Sequence, residues 1–194
     1  WEPGLFLGMN LIGKTLGIVG LGRIGTMVAR RAQGYSMNVV YNKHSRDTEC
    51  EEKMGVKFCE LDQLLSESDV VTLHVPLNDE TRHMINKETL GKMKRGAFLV
   101  NTARGAVVSE PDLIDALKNG QLFGAGLDVF DNEPNISKDL IAMPNVILTP
   151  HIASATHEAR NKMGELAVSA IMETLKGTNP VNIVNKEVWE KRRK

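Results

Sequence analysis

Two cysteines, Cys50 and Cys59, are all that the 194 residues contain. They form no C-x-x-C pair and have no histidine at metal-ligand spacing beside them, so neither a disulfide framework nor a metal site organises the chain. Free thiols in a reducing, cytoplasmic compartment are expected. An excess of either charge is also missing: 24 Lys and Arg stand against 24 Asp and Glu. No basic field therefore exists to gather nucleic acid or an anionic membrane, and neither is expected as a partner. No apolar run approaches the roughly 20 residues that span a bilayer, and the first residues have none of the basic and apolar regions of a secretory signal. Internal repeats and low-complexity segments are absent. So is a methionine at the head of the chain, which opens on Trp1; a processed or truncated chain is expected.

What is present is organised around Thr15 to Ala29, T-L-G-I-V-G-L-G-R-I-G-T-M-V-A. An apolar run from Leu16 to Val19 suits a buried strand, and Gly20, Gly22 and Gly25 follow at its end with G-x-G-x-x-G spacing. In this reading Gly20 makes the tight turn, Gly22 lets backbone approach a pyrophosphate, and Gly25 permits close contact between helix and strand. Arg23 and Ile24 share that first helical turn, whose N–H groups and positive dipole end meet the phosphates. Ile24, Val28 and Ala32 recur every four residues and are expected to face the sheet. A merely structural glycine turn is the bland alternative.

The second strand, Asn38 to Tyr41, ends in Asn42-Lys43-His44-Ser45-Arg46. A fold of this kind that selects NAD places Asp or Glu about 20 residues beyond the glycines, to bind the ribose 2′-OH. Asn42 stands there instead, beside Lys43 and Arg46, an arrangement that favours the 2′-phosphate of NADP, with NAD still possible. Lys43 and Arg46 as solvated loop charges is the competing reading.

Further on, Val56 to Phe58 is a short strand, and Leu61, Leu64 and Leu65 mark one face of a helix. Val70 to Leu77 is a buried strand stopped at Pro76, with Val75 and Pro76 expected to border the cofactor. His74 reads as a satisfied loop histidine without assigned chemistry. Ala97 to Asn101 is the next strand. Ser109 and Asp112 suggest a capping pair for the helix that ends at Gly120. Strands over Leu122 to Val129 and from Val146 lead to Asp128 and His151, and a long amphipathic helix runs from about Ser154 to Lys176. Strands alternating with helices predict an α/β fold: a Rossmann-type, doubly wound, mostly parallel sheet with helices on both faces. Arg104, Asp128 and His151 all fall at carboxyl ends of strands, where such sheets bind ligands.

The segments G-L-G-R-I-G at 20–25, H-V-P-L at 74–77, N-T-A-R-G at 101–105, G-A-G-L-D-V-F at 124–130, N-E-P at 132–134 and P-H-I-A-S-A-T at 150–156 together resemble the cofactor domain of D-isomer-specific 2-hydroxyacid dehydrogenases. Within that family the chain looks most like a glyoxylate/hydroxypyruvate reductase. The resemblance implies a catalytic set of Arg104 on the substrate carboxylate or carbonyl, Glu133 supporting a histidine, and His151 in acid–base work. It also implies that Asp128 and the backbone near Thr102 and Ala103 hold the nicotinamide end.

The implied reaction reduces a small 2-oxo acid to its D-2-hydroxy acid with NADPH, and a homodimer through the cofactor domain is expected. The implied layout is a dinucleotide-binding domain over 1–180 with an N-terminal arm, and a tail over 181–194 that returns to a substrate domain this chain lacks. The apolar residues of Trp1 to Asn10 would pack on the same domain or exchange with a second subunit. A nucleotide-sensing, corepressor-like module and a purely structural dimerisation module are the other classes these residues allow.

Overall fold

The computed structural model describes residues 7–191. Most of the apolar arm, including Trp1, Leu5 and Phe6, lies outside them. Two compact units are present, one ending at His151 and the other beginning at Ile152.

The first unit is built on a seven-stranded sheet: β1 (Thr15–Val19), β2 (Asn38–Asn42), β3 (Lys57–Phe58), β4 (Val70–Leu73), β5 (Ala97–Asn101), β6 (Leu122–Leu127) and β7 (Val146–Leu148). Their order is β3-β2-β1-β4-β5-β6-β7, and every neighbouring pair is parallel. The sheet is thus all parallel, and its strand order reverses between β1 and β4, which creates a crevice beyond their carboxyl ends.

Alternation along the strands feeds two cores. Leu16, Ile18, Val39 and Tyr41 share one with Ala29 and Ala32 of helix α1 (Arg23–Gly34). Val19, Val40, Val71, Leu73 and Leu99 face the other. Packed there are α3 (Leu61–Glu67) through Leu64 and Leu65, α4 (Lys87–Lys92) through Leu90, and α5 (Glu110–Lys118) through Leu113 and Leu117. Helix α2 (Thr48–Met54) places Cys50 and Met54 against the first core, and α6 (Lys138–Ala142) places Leu140 in the second.

Four expectations are corrected. The strand from Val70 ends at Leu73 rather than running on to Leu77. Ile24 does not face the sheet: it is 67% exposed, and the buried stripe of α1 is Gly25, Ala29 and Ala32. The close approach of α1 selects the smallest side chains, which turns Ile24, one residue round the helix, outward. Ser109 stands at the N-cap of α5 without a side-chain cap bond; Asp112 instead accepts from the Lys87 N–H, 3.0 Å away. The strand after Gly120 ends at Leu127 rather than Val129, with the Asp128 N–H making the last rung to β5 at the Asn101 carbonyl, 3.0 Å away.

The second unit holds α7 (His157–Leu175) and the short α8 (Lys186–Glu190). The N-cap of α7 is Thr156, whose hydroxyl accepts from the Ala159 N–H, so the helix starts beyond Ser154. No helix among the described residues is long and apolar enough to cross a membrane.

Candidate active site and coenzyme cleft

The glycine turn occupies the crevice. Gly20, at φ 99°, donates its N–H to the Asn42 carbonyl at 2.9 Å, while the His74 N–H reaches the Val19 carbonyl at 2.7 Å. The ends of β1, β2 and β4 are thereby laced together. A Cβ on Gly20 would lie 2.8 Å from the His74 backbone, and one on Gly25 only 2.3 Å from the Gly20 carbonyl oxygen. At Gly22, by contrast, nothing lies within 4 Å. Open space at the second glycine, below an α1 start with no side-chain cap and no acidic residue in its first turn, is the shape and polarity a pyrophosphate requires. Arg23 and Ile24 are exposed on that first turn.

At the end of β2, the Asn42 amide donates to the Cys59 carbonyl at 3.1 Å. Lys43 pairs with Asp47 at 3.2 Å. Arg46 is bidentate on Glu51, Nη2 to Oε2 at 2.7 Å and Nε to Oε1 at 2.9 Å. Both cations of the expected ribose subsite thus already carry carboxylate partners. At the end of β4, His74 Nε2 lies 3.0 Å from the Thr72 hydroxyl, and burial pushes its pKa down. That is the satisfied histidine expected from the sequence. Val75 and Pro76 follow it out of the sheet; Val75 Cγ1 would lie 3.0 Å from a Cβ at Gly20.

The turn after β5 is shaped by Asn101, which is buried. Its Oδ1 accepts from the Ala103 N–H at 3.0 Å and its Nδ2 donates to the Arg104 carbonyl at 2.9 Å. Thr102, Ala103 and Arg104 are thereby held in one shape. The exposed Arg104 guanidinium donates to the Ala103 carbonyl at 2.6 Å and makes no ion pair among the described residues. Next in the chain, a Cβ on Gly105 would fall 2.0 Å from the Phe130 carbonyl carbon. The Arg104 turn therefore lies directly against the loop that carries Glu133.

On that loop, Glu133 Oε1 accepts from the Phe130 N–H at 3.0 Å, and Oε2 meets His151 Nδ1 at 2.8 Å. The His151 contact and then the Phe130 N–H hold the Glu133 carboxyl below its usual range. His151 adopts a left-handed φ of 54°, and its N–H is shared between the Asp128 and Thr149 carbonyls at 2.9 and 3.0 Å. Asp128 is buried, and its Oδ1 accepts from the Thr149 hydroxyl at 2.6 Å. Phe130, Glu133, Pro134, Ile136, Pro150 and His151 line a concavity of about 140 Å³.

The structure thus brings Glu133, His151 and Asp128 into one connected network, and sets the Arg104 turn against it. Asn101 and Thr149 are the members that sequence reasoning missed. An Asn at a strand end, two residues before the N–H it captures, is the local signal that could have found the first. A larger concavity, about 640 Å³, lies elsewhere: Lys87, Arg95, Asn119 and Gln121 line it, near the amino ends of β5 and β6. No group of three or more His, Cys, Asp or Glu among the described residues could hold a metal.

Comparison with known proteins agrees with this fold. Residues 1–153 match the family model described as D-isomer specific 2-hydroxyacid dehydrogenase, NAD binding domain. A glyoxylate reductase of Thermococcus litoralis is 51% identical over 188 residues, which are 97% of this chain and 57% of that protein. The crystal structure of a glyoxylate reductase from Paecilomyes thermophila superposes with a TM-score of 0.88 at 39% identity, covering 96% of this chain and 57% of that one. The D-isomer specific 2-hydroxyacid dehydrogenase of Lactobacillus delbrueckii ssp. bulgaricus, in its NAD complexed form, gives a TM-score of 0.86 at 31% identity over 95% of this chain and 60% of that one.

Proposed function

Because the chain belongs to the D-isomer specific 2-hydroxyacid dehydrogenase family, through its NAD-binding domain, we propose that it is the coenzyme half of a glyoxylate/hydroxypyruvate reductase. The observation that carries this reading is the Glu133–His151 pair at 2.8 Å beside the Arg104 turn, downstream of a glycine cradle open at Gly22. The relatives' name supports glyoxylate as substrate, and their greater length supports a second domain. The chain spans 57% of the Thermococcus relative. The proposed layout keeps a dinucleotide-binding domain over 1–180, with the 181–194 tail returning to a substrate-binding domain.

When bound, the nicotinamide supplies the hydride that reaches the carbonyl carbon of the 2-oxo acid. The side chains do the remaining work. Glu133 engages Nδ1 of His151, so the ring's other nitrogen, Nε2, presents its proton to the carbonyl oxygen. Glu133 stabilises the imidazolium and fixes its orientation; it positions rather than touches substrate. Arg104, free of carboxylate partners, offers its planar fork to the substrate carboxylate and polarises the carbonyl with its charge. Asp128, Thr102 and Ala103 hold the nicotinamide end. Gly20, Gly22, Arg23, Ile24 and Gly25 hold the pyrophosphate, while Val75 and Pro76 border it.

NADP is the preferred coenzyme of this proposal, supported by Asn42 in place of an acid and by Lys43 and Arg46 beside it. A homodimer through the cofactor domain belongs to it as well, supported by the exposed Leu7 at the edge of the described arm. The test is an assay of the whole enzyme with glyoxylate, hydroxypyruvate, pyruvate and 3-phosphohydroxypyruvate and both reduced coenzymes. Oxidation of NADPH with the first two, well above the others, is expected. Tight coenzyme binding with no turnover of any acid would favour the nucleotide-sensing module instead.

A further inference from the structure

We propose that Glu51 limits how strongly this site prefers a 2′-phosphorylated dinucleotide, by occupying the Arg46 guanidinium that the phosphate needs. The proposal rests on the reading of the β2–α2 loop as the ribose subsite.

The Arg46–Glu51 pair is not a casual surface contact. Glu51 is anchored from below: its Oε1 accepts from the Tyr41 hydroxyl at 2.7 Å. Tyr41 is fully buried in β2, and its phenol oxygen accepts in turn from the Asp47 N–H at 2.8 Å. The Glu51 side chain is only 15% exposed, whereas that of Arg46 is 61% exposed. The carboxylate is therefore the fixed member of the pair and the guanidinium the movable one.

An arriving 2′-phosphate can take Arg46 only by drawing it off Glu51, and it must then sit beside a carboxylate that cannot retreat. Asp47 does the same to Lys43 more weakly, through one contact at 3.2 Å. Two cations thus face two carboxylates. Asn42 adds to this: one of its amide N–H groups is held by the Cys59 carbonyl, and its Oδ1 is an acceptor that suits a ribose hydroxyl and not a phosphate. The 2′-hydroxyl of NAD is uncharged and meets none of this opposition.

Glu51→Gln keeps an acceptor for the Tyr41 hydroxyl but frees Arg46. The test is fluorescence titration of the chain with NADPH and with NADH at one fixed ionic strength. Glu51→Gln is expected to tighten NADPH about tenfold, one unit of charge at a partly exposed site being worth about that factor, with NADH unchanged within about twofold. Tyr41→Phe, which unlatches Glu51 without touching any charge, should move NADPH the same way by less, and it serves if the first variant folds poorly. Arg46→Ala should weaken NADPH alone. If Arg46→Ala does so but Glu51→Gln and Tyr41→Phe leave the NADPH:NADH ratio where it was, the role of Glu51 is overturned and Arg46 remains the phosphate contact. If none of the three changes the ratio, the NADP reading falls with it.

Discussion

The proposed chemistry turns on one imidazole, His151, whose backbone is held in an uncommon conformation. Two carbonyls share the His151 N–H and stabilise its positive φ, so the ring is aimed by the chain as well as by Glu133. His151→Ala removes the proposed proton donor and should lower kcat of the whole enzyme about 10²–10⁴-fold. Coenzyme Kd should change little; an unchanged kcat would remove His151 from its role. The pair with Glu133 also ties stability to pH. The Glu133 carboxyl is held below its usual range, so its contribution is fully present above the ordinary glutamate value of about 4.3 and fades as pH falls through the lower folded value. Urea unfolding of wild type and Glu133→Gln should therefore show wild type the more stable at pH 6, with the difference vanishing in acid. Equal stability of the two at pH 6 would show that the Glu133 charge contributes nothing beyond filling space. Glu133 and His151 were legible in the sequence as motif members, but their contact was not. Eighteen residues separate them, and only the ends of β6 and β7 bring them together.

Among the elements, the β1–turn–α1 unit separates two functions that its glycines share in the sequence. Gly25→Ala must push α1 off the Gly20 carbonyl and should destabilise the chain by about 1–3 kcal/mol. Gly22→Ala meets open space, so stability should hold within about 0.5 kcal/mol while coenzyme affinity is lost to a methyl group in the phosphate cradle. Thermal melts and coenzyme titrations of the two variants check this; equal destabilisation by both would contradict it. The strands were readable because each is a short apolar run, as at Leu16 to Val19 with Gly20 behind it, although β4 ends at Leu73, short of the expected stop at Pro76. Of the short helices, α3 was readable through Leu61, Leu64 and Leu65, but others were not. Helices α2, α4 and α6 have five to seven residues, too few for a period to show, and tertiary packing and caps such as the Asn86 capping box of α4 define them. Ile24 misled for a related reason. The spacing Ile24, Val28, Ala32 is a valid helical stripe, but close approach at the glycine turn rewards small residues over apolar ones.

For the molecule as a whole, coenzyme binding and turnover should come apart. The isolated chain contains the proposed cradle and the proposed acid–base pair, so it should bind NADP(H) while reducing glyoxylate or hydroxypyruvate poorly beside the whole enzyme; robust NADPH oxidation by the chain alone would refute the proposed missing half-site. The fold class was legible because strands and helices alternate, which admits few topologies. The charge balance at the ribose loop was not. Lys43 and Arg46 could be seen in the sequence, but their neutralisation by Asp47 and Glu51 depends on the start of α2 folding back over Tyr41. An all-parallel sheet also sorts the chain by edge. Every candidate residue follows a strand or, like Asn42, closes one, while the groove of about 640 Å³ beside Arg95, Asn119 and Gln121 precedes two of them. The fold therefore supplies a handle remote from its own chemistry. A dye or surface tether joined at Asn119 would sit at the amino edge of the sheet, and an immobilised molecule would present its coenzyme crevice outward.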